Sequence, residues 1–189
     1  MMRIITGSAK GKRLLTLEGD ATRPTSERIK EAIFSSLQFD IENRAVLDLF
    51  AGSGQMGLEA LSRGAASATF IDSAQDAISV CKENAKYTAL FDRCRFLVSD
   101  YRNFIRKAAG ERKFDLVFID PPYAMACCTE ALSRLTDGKL LLPGAIVVLE
   151  SGEEVIDTEK MTAFEVLKST AYGKKTAVHI LLYRGEESA

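Results

Sequence analysis

The chain has 189 residues, is 47% hydrophobic and carries a formal net charge of −1, which suits one globular domain with a sizeable core. Its longest apolar run, Leu140 to Leu149, is broken by Pro143 and Gly144 and is far shorter than the roughly 20 residues of a membrane span; the opening residues lack an apolar leader with a cleavage site, so a cytoplasmic protein is predicted. Cys81, Cys94, Cys127 and Cys128 form no C-x-x-C pair and His179 is the single histidine, which argues against a zinc site or a Cys–His nucleophile and for reduced, structural thiols.

Arg3–Ile5 and Arg13–Leu17 read as two short strands around a small-residue turn from Gly7 to Gly11, a hairpin extension over residues 1–24. Pro24-Thr25-Ser26-Glu27 supplies a breaker, a capping hydroxyl and an early acid, and apolar residues at helical spacing predict a helix over 26–37. From residue 45 strands and helices alternate: strands at 45–50, 68–71, 95–98, 114–119 and 144–149, and helices at 55–63, 74–90, 101–109 and 124–135. Apolar strands between amphipathic helices predict a mostly parallel sheet covered on both faces, with right-handed crossovers. Segments 163–169 and 176–183 are joined too closely for a parallel crossover, so they must pair antiparallel at an edge. The pattern is an α/β, class I methyltransferase (Rossmann-like) fold of seven strands, a single domain over residues 1–189 with its catalytic core from 25 to 189.

Charge is unevenly spread. Residues 1–30 hold seven basic and three acidic side chains, +4, leaving −5 for the rest. A basic arm on an acidic body is an electrostatic footprint for nucleic acid, with Arg3, Lys10, Lys12, Arg13 and Arg23 as candidate phosphate contacts.

Gly52-Ser53-Gly54-Gln55-Met56-Gly57 matches the dinucleotide-binding pattern after a strand and before a helix. Asp48, at the end of that strand, discriminates. Beside the loop it would repel a pyrophosphate, by about 4 kcal/mol per charge pair at ~4 Å and an effective dielectric of ~20, whereas a cation would be welcome. S-adenosylmethionine fits: its sulfonium and ammonium are positive, and it has no phosphate. The glycines let the backbone approach it, and the following helix N-terminus can face its carboxylate. Asp72, at the end of the second strand, suits the ribose hydroxyls, and Asp100, after the third, suits the adenine amine. Phe50, Ala51, Ser53 and Gly54 complete the loop; Ser73 and Tyr101 each follow an acid. As an alternative to these roles, each Asp could simply cap a turn or helix.

The fourth strand ends at Asp120-Pro121-Pro122-Tyr123, where ligands of open α/β sheets bind. An exocyclic amine on a purine is a poor nucleophile because its lone pair is delocalised. Two acceptors gripping its N–H bonds favour the pyramidal geometry that attack requires. Asp120 offers one and the Pro121 carbonyl, stiffened by Pro122, the other; Tyr123 offers a face for the base. The alternative reading makes Asp120 a cap with prolines in the first helical turn.

Asp-Leu-Phe-Ala-Gly-Ser-Gly (48–54), Gly-Leu-Glu-Ala-Leu-Ser-Arg-Gly-Ala (57–65), Thr-Arg-Pro-Thr (22–25) and Asp-Pro-Pro-Tyr together resemble the bacterial family of 16S rRNA guanine-N2 methyltransferases that act at the 966-type position. The resemblance runs from Arg3 to about Arg184. It implies S-adenosylmethionine contacts for Asp48, Gly52, Asp72 and Asp100, places Thr25 and Arg28 near the methionine end, and gives the target base to Asp120–Tyr123. It further implies 16S rRNA, within the small subunit or an assembly intermediate, as substrate; a monomer is the expected form, which the sequence itself does not fix. Gln55-Met56 and Ser73 depart from residues common in that family. Two other readings stand beside it: a DNA adenine-N6 methyltransferase, whose amine chemistry is the same, and a non-catalytic RNA-binding assembly factor.

Overall fold

A computed structural model describes residues 2–17, 27–111, 113–152, 154–157, 161–173 and 176–185. The chain forms two compact units, Met1–Asp100 and Tyr101–Ala189.

The first unit contains α1 (Glu27–Ser36), β1 (Ala45–Asp48), α2 (Gln55–Ser62), β2 (Ser67–Asp72), α3 (Gln75–Tyr87), a 3₁₀ turn (Phe91–Arg93) and β3 (Cys94–Val98). Its strands are parallel in the order β3-β2-β1, with Ala45 opposite Ser67 and Ala68 opposite Cys94. Val46, Leu47, Phe70 and Ile71 are almost wholly buried, as expected for strands with helices on both faces. Burying each such side chain stabilises the fold by roughly 1.5–3 kcal/mol.

The N-terminal segment departs from a regular two-stranded hairpin. Arg3 and Arg13 form one isolated antiparallel bridge, supported by Ile4 N–H to the Lys12 carbonyl at 2.9 Å and Leu14 N–H to the Met2 carbonyl at 3.0 Å. The ladder stops because α2 and α3 claim the remaining donors. Glu59 accepts the Ile5 and Thr6 amides at 2.7 and 3.0 Å, the Ser62 hydroxyl and carbonyl accept those of Ala9 and Ser8 at 3.0 and 2.8 Å, and Asn84 accepts that of Leu15 at 2.8 Å. The turn comes so close to α2 that a Cβ on Gly7, at φ +89°, would lie 1.8 Å from the Ser62 carbonyl oxygen.

The second unit contains α4 (Tyr101–Ala108), β4 (Phe114–Ile119), a 3₁₀ turn (Tyr123–Met125), α5 (Cys128–Asp137), β5 (Leu141–Ser151), β6 (Phe164–Tyr172) and β7 (Thr176–Tyr183). Its order is β4-β5-β7-β6. β4 and β5 are parallel, and β7 runs antiparallel to both β5 and β6, as the short connection dictates. Two element starts differ from the sequence reading by three residues or more. The helix predicted from Ala124 starts at Cys128, because Ala126 adopts a left-handed conformation, φ +40°, that an α-helix cannot contain. β5 starts three residues earlier than predicted: its register against β4 jumps between Phe114–Leu141 and Leu116–Ile146, leaving Pro143 and Gly144 in an irregularity.

Candidate active site

In the first unit the parallel strands deliver their acids to one set of loops. Asp48, 3% exposed, accepts the Gly57 amide at 3.0 Å, joining the end of β1 to the first turn of α2. Gly57 permits this closeness: a Cβ there would lie 2.4 Å from the Phe70 ring, so the third glycine of the pattern serves helix–strand packing. The loop is also tied sideways to β2, because Ala51 N–H donates to the Ile71 carbonyl at 2.8 Å and Gly52 N–H to Asp72 Oδ2 at 2.9 Å. The other oxygen of Asp72 accepts the Ala74 amide at 2.9 Å, and the Asp72 carbonyl accepts Ser99 N–H at 2.8 Å, which tethers the turn carrying Asp100. Asp48, the loop Phe50-Ala51-Gly52-Ser53-Gly54, Asp72-Ser73 and Asp100 thus follow three successive strands, with Ala51 and Gly52 bonded to Ile71 and Asp72, and the turn before Asp100 bonded to Asp72.

Carboxylates stand at the ends of all three strands, and this donor set suits a ligand with a positive centre and ribose hydroxyls. The field is felt nearby: the Cys81 thiol is pushed well up, first by burial and then by the charge of Asp48. Arg28 is exposed on α1; Thr25 and Arg23 lie outside the described residues. Among the described residues no group of three or more His, Cys, Asp and Glu is arranged to hold a metal ion, and no helix is long and apolar enough to cross a membrane.

In the second unit β4, buried at Phe114 and from Leu116 to Ile119, ends at half-buried Asp120 and buried Pro121. Pro122 has φ −52° and ψ 132°; its carbonyl accepts the Met125 amide at 2.9 Å, which closes the 3₁₀ turn carrying Tyr123. The far end of this loop is held from β5's side. Glu154 accepts the first amides of α5, Cys128 at 2.8 Å and Thr129 at 2.9 Å, a two-pronged cap at a helix N-terminus. Burial acts to raise the Glu154 carboxyl, but the bonds from Thr129 and Cys128 outweigh it and hold it below its usual value. The Cys128 thiol is pushed up by burial, then by the charge of Glu154, with a smaller contribution from Asp120.

Tyr101, buried at the start of α4, donates its hydroxyl to Glu130 at 2.9 Å. Arg102 grips the same carboxylate with two bonds of 2.8 Å and Arg134 adds one of 2.7 Å. The arginine bonds, Arg102 first, hold Glu130 far below the carboxylate range. The Tyr101 hydroxyl is thus engaged with Glu130. His179 is buried, with Nδ1 2.9 Å from the Ser169 hydroxyl, a cross-strand contact in the edge hairpin.

Two of the five basic candidates are occupied. Arg3 is 2.5 Å from Glu27, and Lys12 donates to the Tyr87 carbonyl at 2.8 Å. Lys10 and Arg13 are exposed. Sequence reasoning overlooked Asn84, wholly buried, whose amide nitrogen donates to the Ser53 carbonyl at 2.9 Å and the Leu15 carbonyl at 3.0 Å, so it links the glycine loop to the N-terminal segment. The signal was there: Ala77, Ile78, Cys81, Asn84 and Ala85 share the buried face of α3, and a buried amide must find partners.

The family model described as "Conserved hypothetical protein 95" matches residues 2–181. The Bacillus subtilis (strain 168) protein YlbH is 35% identical over 185 residues, covering 97% of this chain and 100% of its own. Ribosomal RNA small subunit methyltransferase D of Haemophilus influenzae is 32% identical over 154 residues, 81% of this chain and 80% of that one. The solved structure of Escherichia coli yhhF superposes with a TM-score of 0.85 at 29% identity, covering 98% and 99% of the two chains. With seven strands, mostly parallel and closing on an antiparallel hairpin, the chain belongs to the family described as conserved hypothetical protein 95 and is a class I S-adenosylmethionine-dependent methyltransferase.

Proposed function

We propose that this enzyme methylates the exocyclic N2 amine of a guanine, at the 966-type position, in 16S rRNA of the small subunit or its assembly intermediate. The observation that carries the reading is Asp120 at the end of β4, followed by two prolines and Tyr123, in a chain related to a small-subunit rRNA methyltransferase. S-adenosylmethionine, held by Asp48, the 50–54 loop, Asp72 and Asp100, with Thr25, Arg28, Ser73 and Tyr101 at its margins, supplies an electrophilic methyl group.

The Asp120 carboxylate and the Pro121 carbonyl accept the two N–H bonds of the amine and turn its lone pair outward, while Tyr123 carries the base. The nitrogen forms its bond to the methyl carbon as the carbon–sulfur bond breaks, sulfur keeps the electron pair, and the nitrogen then sheds one proton toward Asp120 or water. Asp120 need not be a strong base, because the alkylated nitrogen is acidic; alignment supplies most of the acceleration. Bases of RNA loops can be splayed out and stacked, which suits a compact enzyme acting as one domain and as a monomer in the cytoplasm.

The test is to incubate the protein with labelled S-adenosylmethionine and unmodified small subunits, then map the labelled nucleotide. Label on guanine N2, lost in Asp120→Ala, is the expected result. Label on adenine, or on DNA alone, overturns it.

A further inference from the structure

The structure couples the N-terminal segment to α3, and the face they share has a composition that neither has alone. Asn84 binds the Leu15 backbone with both ends of its side-chain amide, Oδ1 accepting from the N–H and Nδ2 donating to the carbonyl, and Lys12 reaches the Tyr87 carbonyl. Residues 2–17 and 75–95 together carry eight basic and three acidic side chains, +5 in a chain of net charge −1. Aromatic rings lie among these charges. Tyr87 is 60% and Phe91 37% exposed, and each has an ammonium over its ring: Lys12 at 5.5 Å from Tyr87 and Lys86 at 5.4 Å from Phe91. Lys82 stands 5.9 Å from Phe96, which packs against Phe91 at 5.5 Å and stacks on Phe70 at 5.3 Å, so the outer ring rests on a column whose inner member, Phe70, is buried.

We infer that this face, with Tyr87 and Phe91 as stacking platforms and Lys10, Arg13, Lys82 and Lys86 as phosphate contacts, binds a single-stranded segment of the RNA substrate. The inference rests on the RNA reading above and extends it to a surface outside the methyl-transfer loops. Rings exposed among cations are what a single strand uses, since every base has a π-face and every nucleotide a charge. An acidic protein partner would use the charge but leave the rings without planar partners. The assignment also accounts for Lys12. With its ammonium donated to the Tyr87 carbonyl, it steadies the residue that carries the ring rather than reaching for a phosphate.

The chain has no tryptophan, so Tyr87→Trp places a single fluorescent reporter on the face. Titrated with 16S rRNA or a single-stranded oligouridylate, the indole fluorescence of that variant should be quenched in step with binding. Tyr87→Ala should weaken binding about 5- to 150-fold, the range for one stacked base, while leaving S-adenosylmethionine affinity and the melting temperature unchanged. Lys82→Gln with Lys86→Gln should lower the slope of log affinity against log salt by about 1.4. RNA binding that depends on Lys10 and Arg13 but not on Tyr87, Phe91, Lys82 or Lys86, with no quenching, would overturn the face and leave the RNA substrate standing. Failure of the wild-type protein to hold RNA at all would overturn both. Quenching by intact subunits but not by their purified RNA would overturn it in favour of a ribosomal-protein contact.

Discussion

Replacing Glu59 by leucine removes the acceptor around which the N-terminal segment is built. Its carboxylate is fully buried and takes four donors: the Ile5 and Thr6 amides at 2.7 and 3.0 Å, Arg63 Nε at 2.8 Å and Lys30 Nζ at 3.2 Å. Lys30 is itself only 2% exposed; burial, partly offset by the charge of Glu59, lowers its ammonium below the usual range. Without Glu59 the ammonium keeps the Arg3 carbonyl, 2.6 Å away, but loses the countercharge it touches. Breaking a buried pair in this way costs about 3–5 kcal/mol. At roughly 2–4 °C per kcal/mol for a chain of this size, the melting temperature should fall by about 6–20 °C. Removing both partners together, Glu59→Leu with Lys30→Leu, takes away the unpaired ammonium but still leaves the Ile5 and Thr6 amides and Arg63 without their acceptor, so the double variant should recover only part of the loss. Calorimetry of the two singles and the double measures the coupling, and hydrogen exchange at the Ile5 and Thr6 amides shows whether the segment has detached. A single variant that melts within about 2 °C of wild type, or a double variant less stable than Glu59→Leu, would refute the reasoning.

Gly7→Ala and Gly11→Ala separate two costs: both glycines have positive φ, +89° and +81°, but a Cβ at Gly11 has nothing within 4 Å. Gly11→Ala should cost about 1–2 kcal/mol for the left-handed backbone alone; Gly7→Ala should cost more and strip exchange protection from the Ser8 and Ala9 amides, read by hydrogen exchange with mass spectrometry. Glu154→Gln weakens the cap on α5 and should cost about 1 kcal/mol near neutral pH. Because the folded-state carboxyl lies below its unfolded value, the wild-type advantage is complete above the unfolded value of about 4.3 and fades as pH falls through the folded one. Melting curves of both proteins from neutral pH downward should therefore converge, and a constant gap would contradict the assignment. Thiol titration at pH 8 should find Cys81, Cys94 and Cys128 unreactive until the protein unfolds, since burial first of all raises each, Cys94 to about 12; rapid stoichiometric labelling of native protein would count against it.

The parallel strands were legible because burial on both faces writes a continuous apolar run, and their ends were legible because acids and glycines stop those runs at Asp48, Asp72, Asp100 and Asp120. What the sequence hid is mostly a matter of partners. A basic residue reads the same whether it faces solvent or, like Arg3, an internal carboxylate such as Glu27, so charge counting assigned to phosphates side chains that the fold already uses. Helical periodicity from Ala124 to Leu135 continues through Ala126, and only the backbone reveals the left-handed break there. The N-terminal segment has strand-like residues, yet its donors go to Glu59, Ser62 and Asn84, which lie 53 to 69 positions away and leave no local trace.

β6 ends the strand order of the second unit, and Glu165 through Lys168 are exposed along it. Such an edge is a template on which another chain's strand could grow. Its pairing with β7 slips between Val166 and Lys168, so Leu167 stands out of step, and the exposed Val166–Leu167 pair is flanked by the charges of Glu165 and Lys168. An incoming strand would meet a broken hydrogen-bond spacing and would have to bury a charge on either side of the apolar pair. The irregularity thus guards the open edge against self-templated aggregation, at the very residues whose apolar side chains would otherwise invite it.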